Sequence, residues 1–268
     1  MKTLMLFGLL VRHTHAQDVV SLAPNLTEIC CALGACDRLA GVTDYCTYPE
    51  QVKSLPHVGG YLDPNIEIIV SLNPRIILAV PEHQQITKRL QGLGFRVETI
   101  QNFTVADIHD SIMRVGEILG LEQAAAQLSA SLKQQQTWVS PKVPLRCLVS
   151  IGKETNSDGL RSVFAVARAG FLNELLEMAG GTNVLVQSTP YFTQLSQEAI
   201  LGLDPDVIIE LVPEDTADRD LVLAPWYAMN GLRAAREKRI YAVVNASVLT
   251  PGPRYPQTLE LMRRALWP

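Results

Sequence analysis

Two stretches of this chain repeat one another. PNIEIIVSLNPRIILA runs from Pro64 to Ala79, and LSQEAILGLDPDVIIE from Leu195 to Glu210. Aligned without gaps, Glu67 falls on Glu198, Ile69 on Ile200, Leu72 on Leu203, Pro74 on Pro205 and Ile77 on Ile208, every pair 131 positions apart. Each stretch reads as a short helix, a proline that ends it, and a β-branched strand. A chain that writes this unit twice is expected to build two similar lobes.

Short β-branched runs alternate with helical patterns through both halves. In the first half the strand candidates are 19–22, 40–45, 75–80 and 95–100, with helices at 25–33, 64–72 and 84–92. Asn25, with Glu28 three residues later, has the spacing of a capping box, and Gly34 stops that helix. Asp63 opens the next, with Pro64 at its first position and Asn73-Pro74 at its end. In the second half, strands are expected at 146–151, 206–212 and 239–244, and helices at 169–179, at 196–202 behind a Ser196 cap, and at 255–266. This alternation predicts parallel α/β sheets. SLAPN and SIGKETNSDG, which follow or span the first strands, lack GxGxxG and GKS/T, so nucleotide chemistry finds no support.

Residues 104–140 have another texture. Neither 104–120 nor 121–140 shows a strand pattern, and in the second Leu121, Ala125, Leu128, Leu132 and Val139 form one helical stripe before Pro141. A long helix bridging two α/β lobes is expected there. The organisation is then an N-terminal lobe at 17–103, a helical linker at 104–140 and a C-terminal lobe at 141–268.

The 268 residues, 47% hydrophobic, suffice for such a core, and a formal charge of −4 argues against a basic nucleic-acid-binding face. MKTLMLFGLLVRHTHAQD has the layout of a secretory signal peptide, with Lys2, an apolar stretch from Leu4 to Val11 and cleavage after Ala16; a buried first strand is the other reading. Cleavage would leave 21 basic against 27 acidic residues, a charge of −6. No cysteine follows the apolar stretch, so a lipid anchor is not indicated. Five cysteines (30, 31, 36, 46 and 147) leave at least one unpaired, and Cys30 and Cys31 read as buried helical thiols. No CxxC or His-x-x-x-His spacing points to zinc.

VVSLAPNLTEI, LAGVTDYCTYPEQVKSLPHVGGYLDPNIEIIVSLNPRIILA, FLNELLEMAGGTNV, LSQEAILGLDPDVIIE and PGPRYPQTLELM follow one another across most of residues 18–262. In these motifs the chain resembles the helical-backbone (class III) substrate-binding proteins of ABC importers, and most closely their cobalamin-binding branch. The resemblance implies two similar Rossmann-like lobes joined by one long helix, with a ligand cleft between them. It implies a periplasmic, monomeric receptor that makes no bonds, has no resident cofactor, and hands a corrinoid to a membrane permease. It also implies docking through one acid per lobe, Glu67 and Glu198, against permease arginines. Otherwise each is a solvated glutamate favoured by its helix dipole.

Aromatic residues cluster in the strand-to-helix loops, where α/β proteins hold ligands. Tyr45, Tyr48, Tyr61, Tyr191-Phe192 and Trp226-Tyr227 lie in such segments. By the resemblance, Tyr45, Tyr61 and Phe192 would pack against a flat macrocycle. Tyr48 and Asn245 are further candidate ligand contacts, and Arg254 either meets a ligand carboxylate or phosphate or braces the last helix. Two departures, Val80-Pro81 where an aromatic would stand and Asn245-Ala246-Ser247 without an acid, leave haem or a ferric siderophore open as ligands. Asp44, Glu82, His57, His83 and His109 are weaker candidates for polar contacts. An exported α/β enzyme of chelatase-like or oxidoreductase type is the alternative of another class. It would need an acid–base or metal constellation, for which Ser150, His57 and Asp44 can be written down but show no supporting spacing.

Overall fold

The duplicated unit is built twice, down to its caps. The structure, a computed structural model, describes residues 17–136, 143–156, 159–187 and 191–268; the signal-peptide segment and Pro141 lie outside these. In chain order the N-terminal lobe comprises β1 (Val19–Ser21), α1 (Pro24–Ala32), β2 (Leu39–Val42), α2 (Ile66–Leu72), β3 (Ile76–Ala79), α3 (Gln84–Gly92) and β4 (Val97–Thr99). Then come α4 (Val105–Leu119) and α5 (Glu122–Gln135). The C-terminal lobe comprises β5 (Leu145–Asn156), β6 (Gly159–Val166), α6 (Phe171–Met178), β7 (Gly181–Asn183), β8 (Phe192–Ser196), α7 (Gln197–Leu203), β9 (Val207–Val212), α8 (Arg219–Tyr227), α9 (Arg233–Arg236), β10 (Ile240–Val244) and α10 (Tyr255–Leu266).

Helices α2 and α7 match residue for residue. The Asn65 side chain accepts from the Glu67 and Ile68 N–H groups, and the Ser196 hydroxyl accepts from Ala199 N–H, each satisfying donors that a helix start leaves open. Each helix ends on a left-handed residue, Asn73 (φ 46°) and Asp204 (φ 38°), types that tolerate this region. Pro74 and Pro205 then send the chain into β3 and β9. The α2 start therefore differs from the expected one: Asn65, not Asp63, caps it, because only the Asn65 carbonyl meets the first-turn amides.

The N-terminal sheet is parallel throughout, in the order β2-β1-β3-β4. In the C-terminal lobe β10, β9, β5 and β7 pair in parallel, but β6 and β8 join antiparallel, so this sheet is mixed. Strand β5 is twice its expected length; its first half pairs with β9 and β7, its second with β6.

Alternation along the strands sets three core layers. Val20 and Ile77 face a layer under α2 and α3 with Ile69 and Leu90. Leu148 and Ile208 face a layer under α7, α8 and α9 with Ile200 and Trp226. Val19, Ile76, Leu78, Val149 and Ile209 all face the third, which runs unbroken from one lobe to the other through α1, α4, α6 and α10.

Helix α4, rather than the 121–140 stripe, is the bridge. Ile108, Ile112, Val115 and Leu119 fill the shared core at helical spacing. Its first N–H, from Val105, donates to Glu174 on the C-terminal lobe at 2.6 Å, and its last carbonyl, on Leu119, accepts from Arg38 on the N-terminal lobe at 2.9 Å. An acid at the helix start and a cation at its end both suit the dipole. A Thr104–Asp107 capping box begins it and Gly120 (φ 69°) ends it, dividing the linker into two helices.

Two expectations on α1 are corrected. Asn25 does not cap it: Ala23 is the N-cap, with no side-chain bond, and Pro24 takes the first turn. Cys31 is not a thiol; it forms a disulfide with Cys36, while Cys30, Cys46 and Cys147 are free and buried. Among the described residues no helix is long and apolar enough to cross a membrane.

Candidate functional site

The carboxyl ends of the strands in both lobes open onto one cleft. In the N-terminal sheet the chain leaves β1 for β2 on one side and β3 on the other, and such a switch point leaves a crevice beyond the strand ends. A cavity of about 550 Å³ lies there, walled by Pro24 and Asn25 beyond β1, Tyr45 beyond β2, and Leu249 to Pro251 beyond β10. A second, of about 240 Å³, continues it towards Phe103, Val166, Phe171 and Phe192. Tyr61, Asn102, Leu249 and Pro251 line both, so the two are parts of one groove between the lobes.

Three of the expected ligand contacts meet in this groove. Tyr45, 64% exposed, stands at one end, Tyr61 at the junction, and Phe192, 46% exposed, at the other end. Tyr61 is held edge-on against buried His83, with ring centroids 4.9 Å apart. Burial, with Glu82 nearby, pushes the Tyr61 hydroxyl up to about 12. Tyr191 packs on Phe103, centroids 4.0 Å apart, at the seam where Phe171 N–H donates to the Phe103 carbonyl.

Tyr48, Asn245 and Arg254 stand outside the groove wall. The Asn245 side-chain oxygen accepts from the Ser247 N–H and hydroxyl at 2.8 and 2.6 Å, forming a local turn after β10. Arg254, just before α10, crosses to the N-terminal lobe and donates twice to Glu28, at 2.5 and 3.0 Å. Its guanidinium also lies 3.9 Å over the Tyr48 ring. The pair ties the lobes together beside the cleft. Burial pushes the Glu28 carboxyl up, against the opposing pull of Arg254.

Other candidates are occupied. His57 and Asp44 pair at 3.0 Å on the N-terminal lobe, whereas Ser150 is buried on β5 and bonded to the Gly152 carbonyl, so they form no triad. His109 sits between Ser129 and Tyr255, at 2.9 and 3.1 Å, in the α4–α5–α10 seam. Trp226 fills the C-terminal core and donates to Glu210. Among the described residues no cluster of His, Cys, Asp and Glu could hold a metal ion.

Sequence reasoning passed over Asn102, Phe103, Leu249 and Pro251. They lie in loops without periodic pattern, and only the packing of one lobe against the other brings them together. The walls, among the described residues, carry the acids Asp63 and Glu82 and neither lysine nor arginine.

Glu67 and Glu198 are both exposed and both second in their helices. The Glu198 backbone N–H and the Ser196 hydroxyl hold the Glu198 carboxyl below its usual range. The two acids thus occupy equivalent sites on the outward-facing helices α2 and α7.

The model of the periplasmic binding protein family matches residues 19–245. An ABC transporter substrate-binding lipoprotein of Bacillus subtilis is 29% identical, over 94% of this chain and 80% of that one. The crystal structure of the periplasmic vitamin B12 binding protein of Vibrio cholerae superposes with a TM-score of 0.74 at 26% identity, covering 94% of this chain and 97% of that one. That of a periplasmic haem binding protein from Pseudomonas aeruginosa gives 0.79 at 25% identity, covering 94% and 93%. A two-lobed α/β fold with a groove between its lobes is the architecture of extracytoplasmic binding proteins. The chain belongs to the periplasmic binding protein family.

Proposed function

We propose that this chain is the extracytoplasmic substrate-binding protein of an ABC importer, and that it captures cobalamin or a related corrinoid. The observation that carries the ligand assignment is the chemistry of the groove wall: aromatic rings at both ends and the middle, acids, and no cation among the described residues. A flat macrocycle rewards rigid aromatic walls, each ring burying about 150–250 Å². Cyanocobalamin is neutral and carries carboxamide arms. Haem carries two carboxylates, which Asp63 and Glu82 would repel and no cation among the described residues of the wall would offset.

Haem is the second reading, favoured by the similarity to the Pseudomonas aeruginosa protein. It is weakened by the state of Tyr61. A phenol held up to about 12 by burial and Glu82 resists the deprotonation that iron ligation requires.

The corrinoid is cargo, so no resident cofactor and no catalytic step are assigned. The protein is exported, with cleavage after Ala16, acts as a monomer, and delivers its ligand to a membrane permease. Glu67 and Glu198 meet permease arginines; their exposure and equivalent placement on the two lobes support this role.

Calorimetric titration of the mature chain with cyanocobalamin, haemin and a ferric hydroxamate siderophore tests the reading. One-to-one binding of cyanocobalamin, tighter than that of either competitor, is expected. Tight haemin or siderophore binding with no cyanocobalamin binding would replace the ligand assignment. Turnover of any of them would replace the class.

A further inference from the structure

Among the described residues of the groove wall, Asn25 alone combines near-complete burial with an amide nitrogen that meets no hydrogen-bond partner. The residue is 3% exposed and lines the larger cavity. Buried polar groups in folded proteins are paired almost without exception, so an orphan at a cleft wall marks a place where a partner arrives.

The surroundings reinforce this. Asn25 sits in the first turn of nine-residue α1, whose N-cap, Ala23, supplies no side-chain acceptor, and whose first turn has no acid. The hydrogen bond returning to the helix start is from Thr27 N–H to the Ala23 carbonyl, so the Asn25 and Leu26 N–H groups precede the ladder. Pro24 has no N–H to offer. Donors therefore gather where Asn25 meets the cavity, with the positive end of the helix dipole behind them. Gly252 of the other lobe packs beside Asn25: a Cβ there would lie 3.4 Å, van der Waals contact, from Asn25 Cα and Cβ.

An asparagine amide offers a donor and an acceptor, exchanged by rotating its last torsion. Its best complement is another amide, whose carbonyl accepts from Nδ2–H while its NH₂ donates to Oδ1. A carboxylate would supply acceptors but would also face Asp63 in the same cavity. We infer that Asn25 is a specificity-determining residue that recognises a carboxamide arm of the ligand at the start of α1. This rests on the corrinoid reading, which names a ligand rich in such arms.

The test compares the parent chain with Asn25→Leu, close in volume and without polar atoms, and with Asn25→Ala should the first variant not fold. Each is titrated with cyanocobalamin and with its monocarboxylic acids, in which one peripheral carboxamide is hydrolysed. The variant should bind cyanocobalamin about tenfold more weakly, as expected for one buried hydrogen-bonded pair. At least one acid should bind the parent more weakly than cyanocobalamin, and that penalty should vanish in the variant. Equal cyanocobalamin affinity in parent and variant, or a penalty unchanged by the substitution for every acid, overturns the role of Asn25 and leaves the corrinoid reading intact. A parent chain that does not bind cyanocobalamin overturns both.

Discussion

Replacing Arg254 by Met should cost the fold far more than a surface ion pair would. The guanidinium belongs to the C-terminal lobe, and both its partners lie on the other: Glu28, with a side chain 4% exposed, and the Tyr48 ring. An exposed pair is worth at most about 1 kcal/mol. Arg254→Met keeps the apolar stem but strands a buried carboxylate, for which the loss is about 3–5 kcal/mol. Losing the ring contact adds about 0.5 kcal/mol, the low end, because Tyr48 is half exposed. At about 2–4 °C per kcal/mol for a domain of this size, the melting midpoint should fall by roughly 7–20 °C near neutral pH. The loss should also depend on pH with a definite sign. Burial already raises the Glu28 carboxyl above its ordinary value, and removing the opposing Arg254 raises it further. A carboxyl raised in the folded state contributes stability that is full below its unfolded value and is lost as pH rises through its folded value. The deficit of Arg254→Met should therefore shrink on acidification from about pH 7.5 towards pH 5, and adding Glu28→Gln should recover most of it. Thermal unfolding followed by circular dichroism measures this directly. A midpoint lowered by less than about 2 °C, or a deficit independent of pH, would refute the reasoning.

Tyr61→Ala and Phe192→Ala should each weaken ligand binding by about 1–3 kcal/mol, read by calorimetry, with a cooperative melting transition well above the assay temperature showing that the free protein is folded. Parent affinity in either variant would remove that ring from the site. Burial, with Lys133 assisting, lowers the proton affinity of His109. A histidine lowered in the folded state contributes stability that is present above its unfolded value near 6.5 and is lost as pH falls below it, so the midpoint should decline on acidification. His109→Gln should flatten part of that decline in a series of melting curves. Burial lowers His83 too, so part should remain.

The lobes were legible because periodicity and punctuation recur. Strand β3, the Ser196 cap and the α10 limits fall within a residue or so of where the pattern puts them. What escaped depended on contacts distant in sequence. Strand β8 has no apolar alternation because Phe192 lines the groove, Gln194 bonds to Ser162 and Ser196 caps α7, so only its pairing with β6 defines it. Both helices of 104–136 feed the core shared by the lobes, the stripe through Ala125 and Leu132, but only α4 is bonded at one end to each lobe, through Glu174 and Arg38, and neither partner is legible in the periodicity. Of the aromatic loop residues, Tyr45, Tyr61 and Phe192 converge on the groove, whereas Tyr48 and Trp226 do not. Arg254 lies outside the groove wall, and a lone arginine in a loop does not reveal that a buried glutamate 226 residues away claims it. Asn25 was misread for a physical reason: Asn before an apolar run usually caps, but Pro24 had already set the helix start.

The central claim is that a duplicated lobe holds a guest between its copies and presents a matched carboxylate from each. The double substitution Glu67→Ala with Glu198→Ala tests it most directly, measured two ways on the same protein: ligand affinity by calorimetry, and uptake of labelled cyanocobalamin by cells in which this chain is the sole binding protein for it. Rim charges act on encounter and orientation with the partner, not on the groove. Affinity should stay within about twofold of the parent while uptake falls by tenfold or more. Undiminished uptake, or affinity and uptake lost in equal measure, would contradict the account.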